Sequence, residues 1–440
     1  MNVDFLIIGG SAAGTTAAEV IRGLSPDSTI TIIEDEDHEQ YSRVLLPHYI
    51  RGKVTREQVF LKKPEWYTDK KIDLLKGVKA VKLDPQNHKV VDDKGDEYQY
   101  GKLLIAVGGR VIPFEVAGAD LANILYMRTV DDADKIINAA KKSQRGVIIG
   151  GGFIGLEFAS CFKLNGVSDV TILVREKYFW EGKLDEDSSR VLVAVLERNG
   201  VKVLTGKEVE RFEPSSSHSR LDPEFPDKID SRFRGNDNSD KRVGAVVTKS
   251  GKRLDAQVVG IGVGIRPNLE WLEGSGIEIG RAIKTNEYLE TNLPDVFAAG
   301  DCAEFNDVIF ERQHVLGNWA NATNQGNIVG KNMGGQRTIF ETASSYSINF
   351  FDGACSFMGV TEADFADEVV PRGSVEAGKM TQIYIKTIGG VMRIVGATII
   401  NNPMEVSPLT AAIKSKTDIS ANKDKLDDPS FDLKDLVINS

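Results

Sequence analysis

Two glycine-rich turns of one design constrain the fold more than any other feature of the chain. In the first, the apolar run Phe5–Ile8 leads into Gly9-Gly10-Ser11-Ala12-Ala13-Gly14. Helix formers follow from Thr15 to Gly23, and a β-branched run from Thr29 to Ile33 ends on Glu34. In the second, Gly146–Ile149 lead into Gly150-Gly151-Gly152-Phe153-Ile154-Gly155, a helix is expected from Leu156 to Leu164, and Val170–Leu173 form the next β-branched run. An unbroken apolar run suits a strand buried on both faces, and strand, turn, helix, strand is the βαβ unit of a parallel sheet. Such a turn brings backbone N–H groups, at the positive end of the helix, within reach of a pyrophosphate. Glycine is needed there wherever φ is positive or a Cβ would collide. The spacing G-x-G-x-x-G, with an acid about 20 residues on for the ribose, is the fingerprint of a dinucleotide site.

Gly150, Gly152 and Gly155 match that fingerprint in full. The first copy reads Gly9, Ser11, Gly14. Serine is small and its hydroxyl can itself donate to phosphate, so the assignment stands. Glu34 ends its strand where a ribose-binding carboxylate belongs. Aligning Ile30–Ile33 with Val170–Leu173 sets Val174 opposite Glu34, with Arg175 next. A carboxylate there favours a free 2′-hydroxyl and an arginine suits a 2′-phosphate. The second site therefore leans toward NADPH, with NADH the alternative, and Glu176 stands ready to cancel the arginine's charge.

A chain of 440 residues, 41% hydrophobic and 27% charged, has room for about three domains. A repeated βαβ unit suggests two similar domains, not a solenoid. Lys76–Glu97, with Pro85-Gln86-Asn87 at its centre, reads as a β-hairpin, and Val201–Ala256 as another, interrupted by a polar stretch. That stretch, 214–241, has no apolar period and is expected to be a mobile surface insertion. From Ile339 to Ser440 a third, α+β unit is expected. The net charge of −10 argues against a nucleic-acid role. The three cysteines, Cys161, Cys302 and Cys355, form no close pair, which fits a reducing compartment. Met1 runs almost directly into an apolar strand with no basic leader, and no apolar run reaches the roughly 18 residues of a membrane span. The expected location is cytoplasmic. The five histidines show no metal-ligand spacing.

Three further segments carry a family resemblance. Leu293-Pro294-Asp295-Val296-Phe297-Ala298-Ala299-Gly300-Asp301-Cys302 resembles the second FAD motif of the flavoprotein reductases that bind two dinucleotides. Leu104–Gly109, which contains Ala106, resembles their crossover from the FAD to the NAD domain, and Val259–Asn268, which contains Gly262, resembles the return. Tyr41-Ser42-Arg43-Val44-Leu45-Leu46-Pro47 and Met127-Arg128-Thr129-Val130-Asp131-Asp132-Ala133 are similar to segments of rubredoxin and ferredoxin reductases. The first is also found in the flavin half of assimilatory nitrite reductases. Leu316–Ala322 looks like the start of the helix that points at the flavin. Order and spacing agree over residues 1–335.

The resemblance to this FAD/NAD(P)-dependent pyridine nucleotide oxidoreductase superfamily implies an α/β fold. It has two Rossmann-like domains of the three-layer β/β/α type and a C-terminal α+β domain. The implied boundaries are 1–118 with 271–335 for FAD, 119–270 for NAD(P), and 339–440. Asp301 would hold the ribityl chain. Ala13, Asp35, Ala80, Ala106, Arg128 and Trp319 fall on FAD-contacting positions, and Ile154 and Gly262 lie on the nicotinamide side. Arg43 would bind FAD phosphate or pair with an acid. His48, where many ferredoxin reductases carry lysine, would pack or hydrogen-bond near the flavin. Phe153 stands where relatives often have an aromatic that covers the flavin until nicotinamide arrives. Glu157, one helical turn on, would orient the carboxamide.

Absences narrow the reaction. No cysteine precedes Cys161, so the C-x₄-C pair of glutathione and lipoamide reductases is missing. Val44 stands where coenzyme A disulfide reductases place their single cysteine. The reading is an FAD-dependent reductase that takes hydride from NAD(P)H onto the flavin and passes electrons to a small carrier protein of rubredoxin or ferredoxin type. Nitrite, a quinone or monodehydroascorbate are alternative acceptors, and a homodimer is left open. A flavin-binding redox sensor, resembling apoptosis-inducing flavoproteins, shares every cofactor motif and is the alternative of a different class.

Overall fold

The computed structural model describes residues 1–215 and 241–438, and the fold is α/β with two Rossmann-like units. The expected insertion, save for Pro214, Ser215 and Lys241, lies outside the described residues. In the first unit, parallel strands run in the order Asp73–Lys76, Ile30–Glu34, Asn2–Ile8, Glu97–Ile105. The last is long enough to serve two further neighbours on its other edge. Its first half pairs antiparallel with Lys89–Asp92, part of the hairpin expected around Pro85. Its second half pairs parallel with Val296–Ala298. That single pairing delivers Asp301 to the first glycine turn from far down the chain.

Helix Ala12–Leu24 packs closely on helix Trp319–Met333. A Cβ on Gly326 would lie 2.4 Å from the Ala13 carbonyl oxygen, and one on Gly330 would lie 2.9 Å from that of Ala17. Such contact is available only to small residues.

The second unit repeats the design, with parallel strands in the order Val201–Leu204, Asp169–Leu173, Arg145–Ile149, Val258–Ile261, Ile124–Tyr126. Val201–Leu204 was expected in a hairpin. It extends the parallel sheet instead, because helix Glu186–Arg198 supplies the crossover that a parallel neighbour requires. The antiparallel part is a three-stranded meander of Val209–Pro214, Val243–Thr248 and Arg253–Asp255. Pro214, placed by sequence in the insertion, closes the first of these strands. The two crossovers lie side by side, Gly109–Val111 pairing antiparallel with Ile265–Pro267.

The third unit is a five-stranded antiparallel sheet, with Ser345–Phe350 at one edge and Glu368–Ser374 at the other. Helix Val406–Lys414 covers it, burying Leu409, Ala412 and Ile413. Arg372, 5% exposed, pins the chain that follows. It pairs with Glu405 at 2.6 Å and donates to the carbonyls of Leu426, Asp428, Pro429 and Phe431. Among the described residues no helix is long and apolar enough to cross a membrane.

Candidate functional site

One continuous cavity of 1410 Å³ joins the two glycine turns. The tightness of the turns explains their sequence. Gly9 and Gly150 have φ of +106° and +109°. A Cβ on either would sit 2.3 Å from a backbone oxygen of the neighbouring strand end, that of Ala106 or of Gly262. Gly14 and Gly155 let each helix approach its strand, since a Cβ there would lie 1.9 Å and 2.2 Å from the Gly9 and Gly150 carbonyl oxygens. Neither helix spends a side chain on its own cap: Ser11 and Gly152 are the capping residues and neither makes a capping hydrogen bond. The free N–H groups of both helix starts are thereby left for a ligand.

At the first turn, Glu34 accepts from the Gly10 N–H at 2.5 Å. Burial, reinforced by Asp35, pushes its carboxyl up to about 8. Asp301 faces Arg128 across 3.6 Å. Arg128 has a buried Nε with no partner among the described residues, and burial lowers its pKa. A half-buried guanidinium short of acceptors and a carboxylate facing it are what the ribityl and phosphate portions of FAD can satisfy. The residues present therefore fit FAD.

Arg43 lines the same wall but is paired with an acid. Its Nη2 lies 2.6 Å from Glu36, and its Nη1 donates to the Arg128 carbonyl at 2.5 Å. Ala13, Asp35, Ala80, Ala106 and Trp319 also line the cavity. Trp319 begins a helix capped by Asn318, whose side chain accepts from the Asn321 N–H at 2.8 Å. Trp271 was not foreseen. It is 9% exposed, lines the wall near Ala80, and has an indole N–H with no partner among the described residues.

Two residues stand elsewhere than expected. His48 is not on the cavity wall. Leu46, Pro47 and Ile50 take the buried face of the short helix Leu46–Ile50, and His48 turns aside, its pKa lowered by burial and by Arg51 and Lys53. Val174 is fully buried with its side chain under Gly151, where it makes no part of the cavity wall. The ribose end of the second turn is instead lined by Arg175, Glu176, Glu181, Glu208 and Glu210, with Lys207 and Lys249. Arg175 is 76% exposed and paired with Glu176 at 3.0 Å.

The helix after the second turn starts at Phe153, earlier than its apolar pattern suggested. Phe153 therefore opens the helix, with Glu157 one turn on, and both line the cavity beside Ile154. Burial pushes the Glu157 carboxyl up to about 7, against the pull of Arg51. Gly152 has open space where a Cβ would go, a cradle that a nucleotide pyrophosphate can fill. No sequence signal pointed to Trp180, or to Tyr346 in the C-terminal sheet, yet both line this end of the cavity. All three cysteines are buried and off the wall, and burial raises each thiol, that of Cys302 to about 12.

The family model for pyridine nucleotide-disulphide oxidoreductases matches residues 3–326. The NAD(P)H nitrite reductase of Bacillus subtilis (strain 168) is 27% identical over 421 residues, covering 95% of this chain and 48% of the reductase. The chain thus spans about half of that relative. Putidaredoxin reductase of Pseudomonas putida is 26% identical over 448 residues, 99% of this chain and 97% of that one. In the solved covalent complex of putidaredoxin reductase with putidaredoxin, the matching chain superposes with a TM-score of 0.87 at 26% identity, covering 99% of this chain and 98% of that one.

Proposed function

This chain belongs to the pyridine nucleotide-disulphide oxidoreductase family and is an FAD-dependent NAD(P)H oxidoreductase, and we propose that it passes electrons from the nicotinamide cofactor through FAD to a small electron-carrier protein, with no cysteine taking part. One observation carries this reading. A single cavity connects both glycine turns, and no thiol lies on its wall. A thiolate relay needs an accessible sulfur of low pKa; here each thiol is buried and raised.

Bound FAD supplies the hydride-accepting and electron-releasing chemistry. The protein's part is placement and electrostatics. Gly9, Ser11 and the start of helix Ala12–Leu24 hold the FAD pyrophosphate, Glu34 the ribose, and Asp301 with Arg128 the ribityl side. Gly150, Gly152 and Gly155 hold the exchangeable nucleotide, and Glu157 orients the nicotinamide carboxamide. At about pH 7 its carboxyl is poised between forms and can donate to the amide oxygen or accept from the amide nitrogen. The N-terminus of helix Trp319–Met333 places positive potential at the cavity, which favours the negative charge that an added hydride brings. End-to-end similarity to putidaredoxin reductase supports a protein acceptor.

Anaerobic stopped-flow mixing of the FAD-loaded protein with NADH or NADPH tests the reading. Flavin absorbance is expected to bleach within milliseconds with one nucleotide. A slow reaction ending in a long-lived charge-transfer complex would overturn it in favour of a redox sensor.

A further inference from the structure

The side chain of Phe153 is enclosed on three sides by aromatic rings from two other parts of the chain. Trp180 meets it edge-on, centroids 4.4 Å apart at 88°. Tyr346 and Phe357, on adjacent strands of the C-terminal sheet, each lie 5.0 Å away. The three enclosing rings also brace one another: Tyr346 stacks on Phe357 at 5.5 Å and 12°, and Trp180 packs on Phe357 at 4.9 Å. Phe357 is 2% exposed and forms the floor, while Phe153, Trp180 and Tyr346 line the cavity.

The loop that carries Trp180 is held in an unusual form. Trp180 has φ of +65°, a left-handed conformation that a bulky residue rarely adopts and that persists only where its surroundings hold it. Its carbonyl accepts from the Lys183 and Leu184 N–H groups. The loop is then fastened to the C-terminal sheet, Tyr384 donating to the Lys183 carbonyl at 3.2 Å and Gln382 accepting from the Asp185 N–H at 3.3 Å. Ordinary core packing would not call for a strained tryptophan at a cavity wall.

We propose that Trp180 and Tyr346, over Phe357, form an aromatic socket that parks the Phe153 ring and so keeps space for the nicotinamide ring, making the C-terminal sheet part of the nucleotide site. This rests on the reading of the second glycine turn as the nicotinamide site. A Phe153 ring deprived of its socket is free to turn into the cavity beside Glu157, which both residues line, where it competes with the incoming ring. Trp180 and Tyr346 are thus positioning residues that act through Phe153.

The experiment is a cycle of FAD-loaded variants, Trp180→Ala, Phe153→Ala, the double variant and Trp180→Phe. It reads the equilibrium dissociation constants of NAD⁺ and NADP⁺ by calorimetry and the charge-transfer absorbance on mixing with the reduced form of whichever nucleotide the wild type binds. For the nucleotide that the wild type binds, Trp180→Ala is expected to weaken binding about tenfold and to dim the charge-transfer band. Phe153→Ala removes the ring that would compete and sets the baseline for the double variant. The double variant returns to the Phe153→Ala value, and Trp180→Phe recovers most of the loss. If the double variant is as weak as Trp180→Ala, or if Trp180→Ala binds like wild type, the socket is packing alone and the proposal falls. Wild type that binds neither nucleotide would instead sink the reading of the second turn.

Discussion

At the first glycine turn the residue that caps the helix is Ser11; at the second it is Gly152, and a Cβ there would touch nothing within 4 Å. Around these two positions the turns agree closely, down to the 2.3 Å clash that a Cβ on Gly9 or Gly150 would suffer. Two of the three fingerprint glycines are therefore demanded by the protein's own backbone. The middle one is not, and under the proposed function it makes room for the ligand. The first site can hold serine at that place because no protein atom forbids it, and the serine hydroxyl replaces lost room with a donor. A fingerprint that treats its three glycines as equivalent merges a folding constraint with a binding constraint.

The largest expected effect breaks the comparison at its rigid half. Gly14→Ala and Gly155→Ala put a methyl about 2 Å from a backbone oxygen that cannot yield. Each is expected to destabilise its own unit by about 3 kcal/mol, toward the upper end for overpacking, read as a drop in the thermal midpoint. At the ligand half, Gly152→Ala should leave the midpoint unchanged and weaken nicotinamide nucleotide binding about tenfold, roughly 1.4 kcal/mol. Ser11→Gly should leave flavin content unchanged. If Gly152→Ala unfolds the protein, the division of roles is wrong.

How much of this was legible in the sequence follows the same division. Local backbone demands were readable: both turns announce themselves through glycine spacing and β-branched runs, and the hairpin around Pro85 through its alternation and turn residues, while the crossovers were legible only through the family resemblance. What depends on contacts between distant segments was not. Val201–Leu204 reads like half of a hairpin, and only the packing of helix Glu186–Arg198 makes it a parallel strand. His48 directly follows the segment that resembles rubredoxin and ferredoxin reductases, but Leu46, Pro47 and Ile50 claim the buried face of its helix and turn it off the wall. Val174 aligns with Glu34 and yet lies beneath Gly151. Tyr346 lies beyond the stretch that carries the resemblance, so nothing in its neighbourhood linked it to Phe153.

Each site also holds one acid with a raised pKa, and pH should sharpen the contrast. Burial sets both, carrying Glu157 from 4.5 to about 7 and Glu34, with help from Asp35, from 4.5 to about 8. An acid whose folded-state pKa is raised binds its proton more tightly in the native state. Stability is then greatest below the unfolded value and declines as pH rises toward the folded one. In flavin-free protein the Glu157 contribution should be lost between pH 4.5 and about 7, and the Glu34 contribution between pH 4.5 and about 8. Glu157→Gln and Glu34→Gln should each flatten their own part of the profile. The gain is on the order of 1 kcal/mol at pH 8 after allowance for solvent in the cavity. Thermal midpoints from pH 4 to 9 check it, and a Glu157→Gln profile parallel to wild type would contradict the assignment.

The smallest expected effect lies at the ribose end of the second site, where sequence leaned toward NADPH on the strength of Arg175. A guanidinium that reads a 2′-phosphate through a bidentate bond discriminates strongly. Arg175, however, is 76% exposed and already paired with Glu176, and Glu181, Glu208 and Glu210 line the same wall. An exposed pair of this kind is worth about 0–1 kcal/mol, so Arg175→Ala should weaken NADPH binding no more than about fivefold and leave NADH unchanged. Removing the acid instead, with Glu176→Gln, should free the arginine and raise NADPH affinity by a similar factor. Titration of both nucleotides against the three proteins decides between the charges. If Arg175→Ala costs NADPH a hundredfold, the arginine reads phosphate despite its partner. If the wild type prefers NADH by tenfold or more, the four carboxylates outweigh it and the lean toward NADPH is refuted.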